Sequence, residues 1–231
     1  MLKAILFDIG GTIIEEHRGF QILLEVQKEV LKHHGCDFSD EEFEKAVSFL
    51  ISTFVPGLRR AVAWYFTKPD ISKCDAVMRD INDAIPELLL KYPRSPYPAI
   101  DRVIESLSKK FVLALAANAS SSIREDLERI GVLKFFKHQK VSQDIGFSKP
   151  DLRFFHYLLN LLGISADEAI MIGDRLDNDI IPARMIGMKA VWIRQGIYSV
   201  LEPRVPKEIP EATVTQVADI PAAVETMVNR R

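Results

Sequence analysis

The stretch Ala4-Ile5-Leu6-Phe7-Asp8-Ile9-Gly10-Gly11-Thr12 decides the fold class of this chain. Four apolar residues closed by an aspartate and then a glycine turn form the pattern of a buried strand. Comparable runs recur at Phe111–Ala117, Ala169–Ile172, Ala190–Ile193 and, more weakly, Ala212–Val214. Helical patterns lie between the later runs. Ser120–Ser122 can cap a helix carrying Ile123, Leu127 and Ile130 on one face, and Pro150 suits the first turn of a helix holding Phe154, Phe155, Leu158, Leu161 and Leu162. This alternation from about Pro98 onward predicts an α/β fold, a parallel sheet covered by helices on both faces.

Residues from about Ile13 to Arg94 follow a different period. Phe20, Leu23, Leu24, Val30 and Leu31 recur at helical spacing, and Ser39 followed by Glu42 is a capping-box pattern ahead of Phe43, Val47 and Leu50. Ile71, Cys74, Val77, Met78 and Ile81 make a further apolar stripe. The expectation is an all-helical insertion over residues 14–95, with 1–13 and 96–231 forming the α/β domain. Tyr92-Pro93-Arg94-Ser95-Pro96-Tyr97-Pro98 is the expected return linker, since three prolines in seven residues punctuate the chain.

Composition narrows the function classes. Across 231 residues, Lys plus Arg total 30 and Asp plus Glu total 32, which excludes a broadly basic nucleic-acid coat and an acidic disordered tail. The longest uncharged stretches, such as Ala46–Leu58 and Phe111–Ile123, run 13 residues, short of the roughly 20 a membrane helix needs. Lys3 and Asp8 interrupt the first apolar run, so it is not expected to be a secretory signal. Cys36 and Cys74 fit neither a zinc site nor a disulfide framework. A cytoplasmic enzyme with no nucleic-acid or membrane partner is expected, and no pattern sets its oligomeric state.

Parallel α/β sheets place ligands at the carboxyl ends of their strands. Those ends carry Asp8, then Asn118, Lys149 ahead of a helix, and Asp174 after Met171-Ile172-Gly173, with Asp179 five residues on. Three carboxylates and one lysine at one sheet edge form a costly cluster without a partner. Mg²⁺ is the economical partner, because it takes carboxylate and carbonyl oxygens and keeps waters that a phosphate can displace. An aspartate nucleophile, a lysine and a metal are what phosphoryl transfer requires.

With these motifs the chain resembles the haloacid dehalogenase-like hydrolase superfamily, in its subfamily with a helical cap after the first motif. Asp8-Ile9-Gly10-Gly11-Thr12 is similar to the first motif, Asn118 sits in the second, Gly146-Phe147-Ser148-Lys149-Pro150-Asp151 in the third and Gly173-Asp174-Arg175-Leu176-Asp177-Asn178-Asp179 in the fourth. Order and spacing match along essentially the whole chain. The resemblance implies a Rossmann-like core with an inserted all-helical cap domain. It implies Asp8 as a nucleophile forming an aspartyl-phosphate, Lys149 holding Asp8 and the phosphoryl group, and Gly11, Thr12 and Asn118 binding phosphate. It further implies Mg²⁺ held by Asp8, the Gly10 carbonyl and Asp174, with Asp179 in support. The implied substrate is a small phosphate ester or acyl phosphate.

Two positions depart from that family's pattern. Phosphatases of the family carry a second aspartate, the general acid and base, where this chain has Gly10; such a group is worth roughly 10²–10⁴ in rate. A Ser or Thr usually precedes the asparagine of the second motif, where this chain has Ala117. Backbone N–H groups near Asn118–Ser120 could still contact an anion. The expected function is therefore a Mg²⁺-dependent phosphatase, with activity lowered by Gly10. The alternatives are a weak or inactive relative binding a phosphorylated ligand or protein, or a phosphonatase- or dehalogenase-like hydrolase; the former would need a Schiff-base lysine among Lys28, Lys32, Lys45, Lys68, Lys73 and Lys91. Asp177 is expected to be solvated or capping, Arg59–Arg60 solvated, and Trp64, Tyr65 and Phe66 core residues.

Overall fold

Every residue of β1 (Ala4–Phe7) is buried in the computed structural model, which describes residues 1–88, 91–92 and 94–229 together with the backbone of Leu89 and Leu90. Pro93 of the expected linker lies outside the described residues. The remaining strands are β2 (Ile14–Glu15), β3 (Ser95–Pro96), β4 (Val112–Leu115), β5 (Phe136–His138), β6 (Ala169–Gly173), β7 (Lys189–Ile193) and β8 (Ala212–Val214). Backbone packing divides the chain into two units, one comprising Met1–Glu15 with Ser95–Arg231 and the other Glu16–Arg94.

The first unit is an α/β sheet domain. Its main sheet has six strands in the order β5-β4-β1-β6-β7-β8, and every neighbouring pair is parallel. The chain steps outward from β1 through β4 to β5, returns to the other side of β1 at β6, and continues to β7 and β8. Sheet order therefore reverses between β1 and β6, which opens the crevice where such sheets bind ligands. In register, Phe7 lies level with Leu115 and Ile172, so the residues that follow these strands emerge side by side. The short ribbon β2–β3 is antiparallel, pairing Ile14 with Pro96 and Glu15 with Ser95.

Helices α1 (His17–His33), α2 (Asp40–Ser52), α3 (Leu58–Thr67) and α4 (Ile71–Lys91) make up the second unit. The capping box at α2 forms as expected. The Glu42 N–H donates to Ser39 Oγ at 3.2 Å and the Ser39 N–H to Glu42 Oε2 at 2.7 Å, a cap worth about 1 kcal/mol. Phe66 is half-buried and packs with Phe38 and Phe43, at centroid distances of 4.4 and 5.7 Å. Trp64 and Tyr65, also expected in the core, are exposed to 39% and 38%. Cys74, Val77 and Ile81 are buried on the α4 stripe, whereas Ile71 at its first residue is exposed.

Helices of the sheet unit fill both faces. The side chains of β1 alternate: Ile5 and Phe7 join Ile104 of α5 (Ile100–Ser108), Leu127 of α6 (Ile123–Ile130) and Val224 of α10 (Ile220–Asn229). Leu6 joins Phe154, Phe155 and Leu158 of α8 (Leu152–Leu162) and Ala183 of α9 (Ile181–Met185) on the opposite face. The short α7 (Ser142–Ile145) precedes the loop that carries Lys149.

Three local expectations change. Pro150 lies ahead of α8 rather than in its first turn, because the Asp151 carboxylate accepts the Arg153 N–H at 2.9 Å and takes the N-cap. Ser122 occupies the α6 N-cap position, but its hydroxyl pairs with Ser120 Oγ at 2.6 Å and does not cap the helix. Strand β5 has no counterpart among the sequence expectations, since Phe-Lys-His is too short and polar to carry a strand signal. No described helix is long and apolar enough to cross a membrane.

Candidate active site

The ladder beside β1 extends past its last residue. The Asp8 N–H donates to the Ile172 carbonyl at 2.9 Å, and the Ala116 N–H donates to the Phe7 carbonyl at 2.7 Å. Main-chain bonds thereby fix Asp8 beside the end of β6, from which Asp174 projects, and beside the turn leading to Asn118. Asp8, Asp174 and Asp179 are all buried, and an oxygen of each lies within 4.8 Å of the others.

Lys149 enters this cluster from the loop before α8. Its Nζ donates to Asp8 Oδ1 at 2.7 Å and to Asp179 Oδ1 at 2.5 Å, with only 3% of its side chain exposed. Asn118 sets the lysine's backbone, with its Nδ2 donating to the Lys149 carbonyl and its Oδ1 accepting the Lys149 N–H, both at 2.8 Å. The carboxamide expected to meet phosphate is thus engaged on both sides with Lys149. The backbone amides expected to help with an anion are partly committed too. The Ala119 N–H donates to Ser142 Oγ at 3.0 Å, and the Ser121 N–H donates to Gln143 Oε1 at 2.6 Å.

Two glycines let the carboxylates approach the main chain. A Cβ on Gly11, whose φ is +68°, would stand 2.2 Å from Asp174 Oδ2, and a Cβ on Gly173 would stand 2.3 Å from Asp179 Oδ2. Asp179 sits in a π-helical turn over Leu176–Ile180, where its Oδ2 accepts the Arg175 N–H at 3.0 Å. Around Gly10 the loop is tied to itself: the Gly11 N–H reaches the Ile14 carbonyl at 2.9 Å and the Ile13 N–H reaches the Ile9 carbonyl at 2.8 Å. Gly10 is half-buried. Thr12 is fully buried, and its hydroxyl has no hydrogen-bond partner among the described residues. Such an orphaned group costs about 1–3 kcal/mol.

Charge decides what the cluster can hold. Three carboxylates and one ammonium leave a formal excess of two negative charges in a buried space. Burial alone would drive the Lys149 amine toward neutrality, but Asp179 and Asp8 outweigh it and hold its pKa above the usual lysine value. Burial, then the charges of Asp8 and Asp179, push Asp174 well above the normal carboxylate range. Burial also raises Asp179, to about 7, in spite of its bond to Lys149. A divalent cation would neutralise the excess. The all-oxygen donor set and the close seat of Asp174 against Gly11 fit Mg²⁺, a hard cation that prefers carboxylate and carbonyl oxygens.

Residues with no chemical signature in the sequence complete the surroundings. The Trp192 Nε1–H of β7 donates to the Asp174 carbonyl at 2.8 Å, and Gln195 Nε2 donates to the Gly11 carbonyl at 2.8 Å. Asp177 is paired rather than solvated, with its Oδ2 2.5 Å from Arg175 Nη2. The Arg175 guanidinium lies 4.3 Å over the Tyr198 ring. In the helical unit, Arg60 pairs with Asp75 at 2.7 Å. Lys28 is the buried lysine there, and its bond to Glu25 raises its pKa against the burial penalty. An amine held protonated is a poor Schiff-base nucleophile.

Comparison with known proteins places these features in a family. The family model described as haloacid dehalogenase-like hydrolase matches residues 5–193. A glyceraldehyde 3-phosphate phosphatase of Methanopyrus kandleri is 27% identical over 221 residues, covering 91% of this chain and 92% of that protein. A phosphoserine phosphatase of Thermus thermophilus is 30% identical over 144 residues, covering 62% of this chain and 55% of that one. Among solved structures, a HAD phosphatase of Thermococcus onnurineus superposes with a TM-score of 0.65 at 24% identity, covering 96% and 98% of the two chains.

Proposed function

The chain belongs to the haloacid dehalogenase-like hydrolase family, and from that membership we propose that it is a Mg²⁺-dependent phosphatase of small phosphorylated metabolites, acting through an aspartyl-phosphate on Asp8. The observation that carries this reading is the buried Lys149 ammonium bonded to both Asp8 and Asp179, beside Asp174. The phosphatase names of relatives that align over much of the chain support the same class.

A carboxylate oxygen of Asp8 forms the new bond to phosphorus, and the bond to the leaving oxygen breaks with its electron pair on that oxygen. Water then attacks the phosphorus, the bond from Asp8 to phosphorus breaks with its electron pair on the carboxylate, and inorganic phosphate leaves; the attacking water gives a proton to solvent and the leaving oxygen takes one from it. Lys149 orients Asp8 and balances charge on the phosphoryl oxygens. Asn118 holds the Lys149 main chain, Gly11 leaves room for Asp174, and Thr12 contributes a buried hydroxyl whose hydrogen is uncommitted. Mg²⁺ held by Asp8, the Gly10 carbonyl and Asp174, with Asp179 in support, would supply electrostatic stabilisation of the transferring group. Position 10 offers no acid to protonate the leaving oxygen.

Turnover of phosphate esters and acyl phosphates graded by leaving-group pKa, with and without Mg²⁺, tests the proposal. Mg²⁺-dependent release of phosphate that is lost in Asp8→Asn is expected. A folded protein that binds these compounds without turnover would instead identify a binding relative, the reading that Ala117 and the committed amides of Ala119 and Ser121 favour.

A further inference from the structure

Gln195 lies in the loop after β7, 184 positions from Gly11 in sequence, and its Nε2 donates to the Gly11 carbonyl at 2.8 Å. The peptide it grips is in the most crowded part of the site. Gly11 has φ +68°, and the place of its absent Cβ is 2.2 Å from the Asp174 carboxylate. On the preceding peptide, the Gly11 N–H is tied to the Ile14 carbonyl, which fixes the direction of the Gly10 carbonyl at the other end of that planar unit. The same region of β7 holds the facing element, since Trp192 donates to the Asp174 carbonyl at 2.8 Å. One strand and its loop thus grip both the nucleophile loop and the Asp174 main chain.

We propose that Gln195 is a positioning residue that sets the Gly10–Gly11 main chain against the Asp174 carboxylate, and so the fit of the site for Mg²⁺. This rests on the metal seat proposed above. Without the amide donor, the Gly11 carbonyl loses its side-chain anchor and the loop can turn away from Asp174. Groups that orient metal ligands from behind govern affinity without touching the ion. A glutamine in a loop has no titrating or nucleophilic group, so only its bond reveals it.

The test is calorimetric Mg²⁺ binding to wild type, Gln195→Met, Gln195→Glu and Asp174→Asn, alongside thermal unfolding of each without metal. Gln195→Met keeps the side chain's length but removes the donor; it should weaken Mg²⁺ about threefold to tenfold, the value of one hydrogen bond. Gln195→Glu faces the Gly11 carbonyl with an acceptor and should weaken binding further. In both, kcat should fall more than KM changes. Mg²⁺ affinity equal to wild type in both Gln195 variants, while Asp174→Asn loses it, overturns the role of Gln195 and leaves the metal seat standing. Failure of wild type to bind Mg²⁺, or an unchanged affinity in Asp174→Asn, overturns the metal seat and this proposal together. A fall in melting temperature with unchanged affinity marks a loop anchor only and also overturns it.

Discussion

Gly11 and Asp174 touch in a way that admits no side chain at position 11: a methyl group there would sit 2.2 Å from Asp174 Oδ2 on a backbone at φ +68°. Gly11→Ala should therefore lose Mg²⁺ affinity by more than about tenfold, because the methyl displaces the Asp174 carboxylate, and should also lose stability by the roughly 1–2 kcal/mol that left-handed backbone costs alanine. Calorimetry with Mg²⁺ checks this. Wild-type affinity in a folded Gly11→Ala protein would contradict the tight seat of Asp174.

Lys149 is the cation that makes the metal-free cluster tolerable. Lys149→Met leaves three buried carboxylates with no ammonium, and removing one partner of a buried pair costs about 3–5 kcal/mol. Denaturant unfolding at pH 7.5 without metal should show a loss of that order, smaller at pH 5 where carboxylates take up protons. Turnover should fall together with stability, and adding Mg²⁺ should recover part of the stability but not the activity.

The raised carboxylates give the metal-free protein an unusual pH dependence. Asp174 and Asp179 have folded-state pKa values above their unfolded ones, Asp179 at about 7. Between about pH 4 and pH 7 the folded state then holds more protons than the unfolded state, so stability declines as pH rises through that window. Carboxylates lowered by ion pairs, such as Asp144 and Glu168, have the opposite slope, but it acts below about pH 4.5. Urea unfolding at pH 5, 6 and 7.5 should show stability falling by on the order of 2 kcal/mol without metal. Saturating Mg²⁺ should flatten the slope by displacing the protons. A metal-free stability that rises over the same range would contradict the buried charge excess.

Much of this site is legible in the sequence, because Asp8, Asn118 and Asp174 follow strands whose apolar runs are uninterrupted. β1 and β6 are apolar and buried along their whole length, so no polar residue dilutes the signal. What escapes is decided by partners far apart in the chain. Asn118 has the form of an anion ligand, yet its carboxamide clasps Lys149, 31 positions away. Asp177 has the form of a solvated residue until Arg175 folds back on it. Trp64 and Tyr65 have core-like hydropathy, but their helix turns them outward while Phe66 packs inward. β5 and Pro150 were missed or displaced for local reasons, a three-residue polar edge strand and a stronger cap at Asp151.

Position 10 should govern which leaving groups the protein accepts. Without a carboxylic acid there, turnover should fall steeply as leaving-group pKa rises, from aryl and acyl phosphates to sugar phosphates. Gly10→Asp should raise turnover of alkyl phosphates by up to about 10²-fold and do less for aryl phosphates. Circular dichroism of the variant guards against a folding defect. Rapid wild-type hydrolysis of alkyl phosphates, with no gain in a well-folded Gly10→Asp protein, would show that the acid is supplied elsewhere.

Covalent chemistry at Asp8 is the central claim, and trapping the intermediate tests it most directly. The protein is mixed with acetyl phosphate and Mg²⁺, quenched in acid, digested, and its peptides are weighed by mass spectrometry. One phosphoryl group should appear on the peptide bearing Asp8, and none in Asp8→Asn or in the absence of Mg²⁺. Phosphate release by wild type with no phosphopeptide at Asp8, and equal release by Asp8→Asn, would contradict the account.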